Sequence, residues 1–273
     1  MKTRLVLVLV TLGGVLRASP PAAAPVTPYG DNPAAAHTAT LNGIKLYYEV
    51  YGDGAPLVVL HGNGGSIAAL RYQIEFFRTH RQVIAVDSRG HGHSEMGAGH
   101  LTYVQMADDV AALLAQLHSG PADVLGWSDG GIVALLLALH HPAAVHRIAL
   151  SGANLSPDDL APGDLAGMTA ELRNARAMLA AGDHVRPWDI VCQHLQLMVT
   201  QPHITAADLA RIPAPALVLA GEHDLIAAAH TRRIAAALPH AQLHIFPGAG
   251  HGALQEVPAA FNAIVEQFFT AAP

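Results

Sequence analysis

The sequence predicts an α/β fold: a mostly parallel central sheet flanked by helices, with a small helical cap inserted late in the chain. Three observations predict it. Short apolar runs recur at residues 57–60, 82–87, 122–125, 147–150, 216–220 and 243–246, each the length of a buried strand. Helical stretches separate the earlier ones, as crossover connections between parallel strands require. Residues 155–211 break that rhythm with Pro-Asp-Asp and Pro-Gly-Asp turns, then helical periodicity over 168–181 and 191–200.

Taken in order, the chain opens on Lys2 and Arg4, an apolar run from Leu5 to Leu16, and a small-residue and proline region through Ala24. That order predicts a secretory signal peptide over residues 1–24, cleaved between Ala18 and Ala24. It is short for a bilayer-spanning helix, so no membrane span is expected in the mature protein. The expected location is therefore outside the cytoplasm, periplasmic or secreted. Residues 25–37, rich in proline and alanine, read as a linker. Residues 38–41 and 44–51 flank Asn42-Gly43, a dipeptide suited to a tight turn, and predict an opening hairpin. The core is assigned to residues 38–154 and 212–273, and the cap to 155–211.

Each apolar run ends in residues with chemical potential. Residues 57–60 lead into His61-Gly62-Asn63-Gly64-Gly65, a glycine-rich loop whose backbone N–H groups can approach a ligand closely. Residues 82–87 lead into Ser88-Arg89-Gly90-His91-Gly92-His93-Ser94. Residues 122–125 lead into Gly126-Trp127-Ser128-Asp129-Gly130-Gly131, a G-x-S-x-G pattern between strand and helix. A serine on so sharp a turn needs small neighbours, projects its hydroxyl above the sheet, and has a helix N-terminus beside it that favours developing negative charge. Residues 216–220 lead into Gly221-Glu222-His223-Asp224, and 243–246 into Pro247-Gly248-Ala249-Gly250-His251.

Strand C-termini share one edge of a parallel sheet, so groups far apart in sequence can converge there. A serine hydroxyl is a poor nucleophile near neutral pH and needs a base. Among the 18 histidines, His251 is the best placed for that task. Asp224, Glu222, Asp158 and Asp159 compete for the acid that would orient it. His91 and His93 form an H-x-H pair, but no further ligands stand at a zinc-like spacing, so no metal site is expected.

The five motifs in this order resemble the α/β-hydrolase family over roughly residues 38–269. The resemblance implies Ser128 as nucleophile, His251 as base and Asp224 as the carboxylate holding the imidazole. It implies an oxyanion hole from the backbone N–H of Asp129 and that of Asn63, with Gly64 as the second choice in the loop. Trp127 and Asp129, flanking the serine, are the candidate substrate contacts. No cofactor is needed for such chemistry. The elbow is also similar to that of α-amino-acid ester hydrolases of this fold, where a carboxylate after the serine would pair with a substrate ammonium. Asp129 has a plainer reading as well, facing solvent or capping the helix.

The expected function is a serine hydrolase cleaving a small carboxylic ester or lactone. An α-amino-acid ester hydrolase, a C–C hydrolase, a perhydrolase and a non-catalytic ligand receptor share the fold and stay open. An aspartate-nucleophile dehalogenase or epoxide hydrolase is excluded by serine at 128.

Composition agrees. A chain of 273 residues with 51% hydrophobic side chains can bury a large core. A net charge of −6 and no basic cluster argue against nucleic acid as partner. The lone Cys192 predicts no internal disulfide and reads as a small buried hydrophobe. Trp188, Leu195 and Met198 are expected as cap core or pocket lining. Nothing in the sequence fixes an oligomeric state.

Overall fold

The computed structural model describes residues 27–160 and 162–271, so the signal peptide expected over 1–24 lies outside the described residues. Strands β1 (Ala36–Leu41) and β2 (Ile44–Tyr51) form an antiparallel pair. Asn42 and Gly43 between them take φ of 44° and 77°, as a two-residue type I′ turn demands. Then follow β3 (Pro56–Leu60), β4 (Gln82–Val86), β5 (Ala122–Trp127), β6 (Val145–Ser151), β7 (Ala216–Gly221) and β8 (Ala241–Phe246). The sheet order is β1-β2-β4-β3-β5-β6-β7-β8. β2 meets β4 antiparallel, and all pairings from β4 to β8 are parallel.

Strand alternation sorts the core into two layers. Val58, Leu60 and Val124 face helices α2 (Tyr103–Leu117) and α3 (Asp129–His140), whereas Leu57, Val59 and Leu125 face α1 (Arg71–Phe77). Ten residues of α3 are buried, from Asp129 to Ala138, which explains why it carries no polar face. After β6 come α4 (Pro162–Ala180), α5 (Trp188–Thr200) and α6 (Ala206–Leu209). Between β7 and β8 lies α7 (Ala228–Ala237), and α8 (Ala253–Glu256) and α9 (Pro258–Thr270) close the chain. Phe261 and Val265 of α9 join the layer of α1. Among the described residues no helix is long and apolar enough to cross a membrane.

The expected linker at 25–37 needs correction from residue 29 onward. Ala36 and His37 already belong to β1, and Tyr29 and Ala35 are buried. The cause is Glu49, whose fully buried carboxylate accepts from the backbone N–H groups of Gly30 and Asn32 at 2.8 Å each. It also accepts from Tyr47 and Tyr51 at 2.8 and 2.7 Å. A buried charge with four donors is satisfied, and it holds the incoming segment against the sheet.

The insertion has its own small core. Leu172 and Ala175 of α4 pack on Leu195 of α5, with Trp188, Cys192 and Met198 around them. α4 and α5 start earlier than periodicity suggests, with Asp164 and Asp189 in their first turns, where negative charge favours a helix N-terminus. α5 docks on the main body through His194. Its Nε2 donates to the Gly90 carbonyl at 2.9 Å, and its ring stacks on His91 with centroids 3.9 Å apart. Cys192 is half-buried rather than buried, and the burial it has raises its thiol pKa.

Candidate active site

The elbow is built by close approach. A side chain at Gly126 would collide with the Gly130 carbonyl, and one at Gly130 with the Leu60 carbonyl. Between them Ser128 takes φ 56° and ψ −118°, a strained conformation for an L-residue that aims its hydroxyl out of the turn. Leu60-His61-Gly62 passes so close that a Cβ on Gly62 would lie 3.1 Å from that of Ser128.

Ser128, Asp224 and His251 are brought together. Ser128 Oγ lies 3.0 Å from His251 Nε2, and His251 Nδ1 lies 2.7 Å from Asp224 Oδ1. Because a carboxylate accepts, Nδ1 carries the proton, which leaves Nε2 to accept from the serine. The Ile226 N–H also donates to Asp224 Oδ1 at 2.9 Å, fixing the carboxylate. The competing acids are elsewhere: Glu222 accepts from Gly248 N–H, and Asp159 pairs with His230 and Arg233. Glu256 accepts from Gly250 N–H at 2.7 Å, and the Trp127 indole N–H donates to the His251 carbonyl at 2.9 Å. The loop carrying His251 is therefore tied down on both sides.

Gly152, just after β6, has no assigned role from sequence, though Gly-Ala-Asn at 152–154 is legible as a strand ending. It takes φ 65°, and an added Cβ would stand 2.7 Å from His251 Cε1 and 2.8 Å from Nδ1. We expect Gly152→Ala to push the imidazole off both partners and lower kcat by on the order of 10³-fold, short of the roughly 10⁶-fold that loss of the base itself would cost. Steady-state kinetics beside a melting curve checks this; kcat within a few-fold of wild type would refute it.

A cavity of about 200 Å³ opens in front of Ser128. It is smaller than the roughly 300–1,000 Å³ of pockets for drug-sized ligands. Leu160, Met168, Met198, Leu225 and Ile226 give it apolar lining, and Asn63, Tyr103, Asp129 and Gln201 polar lining. Met198 thus lines the cavity, while Trp188 and Leu195 serve the core of the insertion. Trp127 lines the cavity too. Tyr103 and Gln201 carried no sequence signal, because only the fold brings them to the strand edge.

Asn63 and Asp129 lie on the cavity wall, and among the described residues neither backbone N–H has an acceptor in the protein. Gly64 does not line the cavity. The plainer reading, in which Asp129 faces solvent, fails: it is 8% exposed, with Asn63 of the oxyanion loop and Tyr103 of α2 against it. Its carboxylate accepts from Asn63 Nδ2 at 2.8 Å, and the Tyr103 hydroxyl lies beside it. Burial pushes its pKa up to about 6, and Asn63 and Tyr103 pull in the opposite direction. His91 and His93 are parted, one stacked on His194 and the other bonded to Asp31. Among the described residues no group of three or more His, Cys, Asp or Glu is placed to hold a metal ion.

Comparison with known proteins agrees with this fold. The model of the Alpha/beta hydrolase family matches residues 57–264. Serine hydrolase BPHL of Homo sapiens is 26% identical over 277 residues, covering 91% of this chain and 90% of that protein. The 2-hydroxymuconate semialdehyde hydrolase of Pseudomonas putida is 29% identical, covering 84% of this chain and 92% of its own. Among solved structures, the enol-lactonase from Burkholderia xenovorans LB400 superposes with a TM-score of 0.73 at 25% identity, over 86% of this chain and all of that one.

Proposed function

The chain belongs to the alpha/beta hydrolase family, and from that premise we propose that it is a serine hydrolase cleaving a small carboxylic ester or lactone. The observation that carries the proposal is the Asp224–His251–Ser128 hydrogen-bonded chain opening onto a small, half-apolar cavity. His251 takes the Ser128 proton as Oγ attacks the carbonyl carbon. The oxyanion that forms is met by the free N–H groups of Asn63 and Asp129. Collapse expels the alcohol, which leaves with the proton from His251, and an acyl-Ser128 ester remains. Water activated by His251 then releases the acid and restores the serine. Every step uses groups of the chain. The insertion acts as a cap that limits access of substrate and water to the cavity. The basic, apolar and small-residue order of residues 1–24 supports export of this enzyme.

A second reading has its own observation: Asp129 lines the cavity beside Ser128, where an α-amino-acyl ester would carry its ammonium. Asn63 already donates to the Asp129 carboxylate and Tyr103 lies beside it, so an ammonium must share it. Faster turnover of free-amine esters than of N-blocked ones would favour this reading. The relatives that act on lactones and on a semialdehyde keep lactone and C–C cleavage within the same proposal of a Ser128 acyl-enzyme.

The test is to quench the protein during turnover of a p-nitrophenyl ester series from acetyl to octanoyl and to weigh it intact. A mass gain of one acyl group, mapped to Ser128, is the expected result, with short acyl chains preferred. Steady absence of both adduct and product would overturn the proposal and favour a ligand receptor.

A further inference from the structure

We infer that the Asn63 side chain is a positioning residue, a strut that sets the spacing of the two oxyanion donors by bonding to the Asp129 carboxylate. The inference rests on the serine-hydrolase reading above and deepens it. The two residues that offer their backbone N–H groups to the oxyanion sit on different elements. Asn63 is in the loop after β3, and Asp129 is the first residue of α3. In such a hole the donors must stand ready at the place where charge develops, and small displacements cost heavily. Here the same two residues are joined a second time, side chain to side chain, by the 2.8 Å bond from Asn63 Nδ2 to Asp129 Oδ2. A tie between them limits their relative motion directly.

The rest of the site makes this tie rigid. The Tyr103 hydroxyl lies beside the Asp129 carboxylate, and Tyr103 is itself 1% exposed at the start of α2. The same Asn63 amide faces the His194 carbonyl of α5 at 3.5 Å, a weak contact that brings the insertion up to the strut. At the other end of the loop, Gly65 N–H bonds the Gly62 carbonyl at 3.1 Å, so the turn that presents Asn63 is closed. A loop asparagine merely exposed to solvent would show none of this. Burial of the carboxylate also makes the bond strong, since a charged acceptor in a dry site gains more from each donor.

Three variants test the strut against the wild type: Asn63→Ala, Asn63→Asp, and the reversed pair Asn63→Asp with Asp129→Asn. In the reversed pair the new amide at 129 donates to the carboxylate at 63 and keeps its place beside Tyr103. Each is measured for kcat and KM on p-nitrophenyl acetate. Each is also measured for affinity toward a trifluoromethyl ketone, which adds to the serine as an oxyanion, and toward the matching methyl ketone. Melting curves confirm folding. We expect Asn63→Ala to lose about 10–100-fold in kcat, less than deletion of a whole oxyanion donor costs, with KM within about two-fold. Trifluoromethyl ketone affinity should fall in step with kcat, and methyl ketone affinity should not. Asn63→Asp should lose more, because two carboxylates then face each other, and the reversed pair should recover most of it. Asn63→Ala with wild-type kcat and ketone affinity would overturn the strut, as would a reversed pair no better than Asn63→Asp. A wild type that forms no adduct at Ser128 would instead overturn the serine-hydrolase reading, so the two failures are separable.

Discussion

Ser128→Ala is expected to leave a folded protein that binds its ester and turns it over on the order of 10⁶-fold more slowly. The size follows from the division of labour in the site. Removing Oγ takes away the nucleophile, and it leaves His251 with nothing to deprotonate except water. What survives is the cavity and the pair of free N–H groups, which alone supply roughly 10³–10⁴-fold over water. Because serine and histidine act as one unit, adding His251→Ala to Ser128→Ala should cost little more, and a cycle of the four proteins reads that directly. Folding should hardly change. The strained φ of 56° belongs to the turn and is as unfavourable for alanine as for serine, and Ser128 N–H still bonds the Ser151 carbonyl at 2.8 Å. The measurement is single-turnover kinetics on p-nitrophenyl acetate beside thermal unfolding. Turnover within ten-fold of wild type would remove Ser128 from the mechanism. A protein that loses activity by melting would say nothing of its role, so the unfolding curve decides which loss is seen.

The sheet was legible because its strands are short apolar runs buried on both faces, as at Leu57 to Leu60, and turns of glycine and proline bound them. Ser128, Asp224 and His251 were legible for a different reason: each lies within a few residues of a strand's C-terminal end, so topology brings them to one edge. The burial of Asp129 was not legible, because its exposure depends on what covers the start of α3, and the covering residues are remote in sequence. Tyr103 reaches it from α2 and Asn63 from the loop after β3. Gly152 escaped because a glycine after a strand is common, and only the imaginary Cβ against His251 reveals its necessity. The packed residues 29–37 escaped because their proline and alanine content resembles a linker, while the buried Glu49 that holds them lies in the next strand. Residues that meet by following strands can be foreseen, whereas those that meet through cover and close packing cannot.

The second large effect expected is on stability in mild acid, and its source is a cluster of neutral histidines between the body and the insertion. His61 donates from Nδ1 to the Gly62 carbonyl at 2.7 Å and accepts at Nε2 from Ser88 N–H at 3.1 Å. His91 donates from Nδ1 to the Arg89 carbonyl at 3.0 Å, and its Nε2 is buried with no protein partner. His194 of α5 stacks on it. Burial lowers the pKa of all three. The Gly62 and Gly90 carbonyls and the Asp87 charge oppose the shift only in part. The unfolded chain takes up protons on these rings below about pH 6.5, and the folded chain refuses them, so stability is full above that pH and falls as pH drops. Each ring still neutral in the fold contributes a slope of about 1.4 kcal/mol per pH unit. Two such rings double that slope, which is steep against the roughly 5–15 kcal/mol that holds a domain together. Asp129, at about 6, and Asp87, also raised by burial, work the other way, because the folded state protonates them first. Comparison with His91→Phe, which keeps a ring against His194, cancels those terms. Urea unfolding at half-unit steps from pH 7.5 to 5.0 should give the variant a slope shallower by about 1.4 kcal/mol per pH unit. Parallel slopes would show that His91 does not resist protonation. Hydrogen exchange should see α5 open first, since His194 is its tie to Gly90 and protonation sets two cationic rings face to face. The helix that opens also carries Met198, so acid should loosen the wall of the cavity before it melts the sheet that bears Ser128.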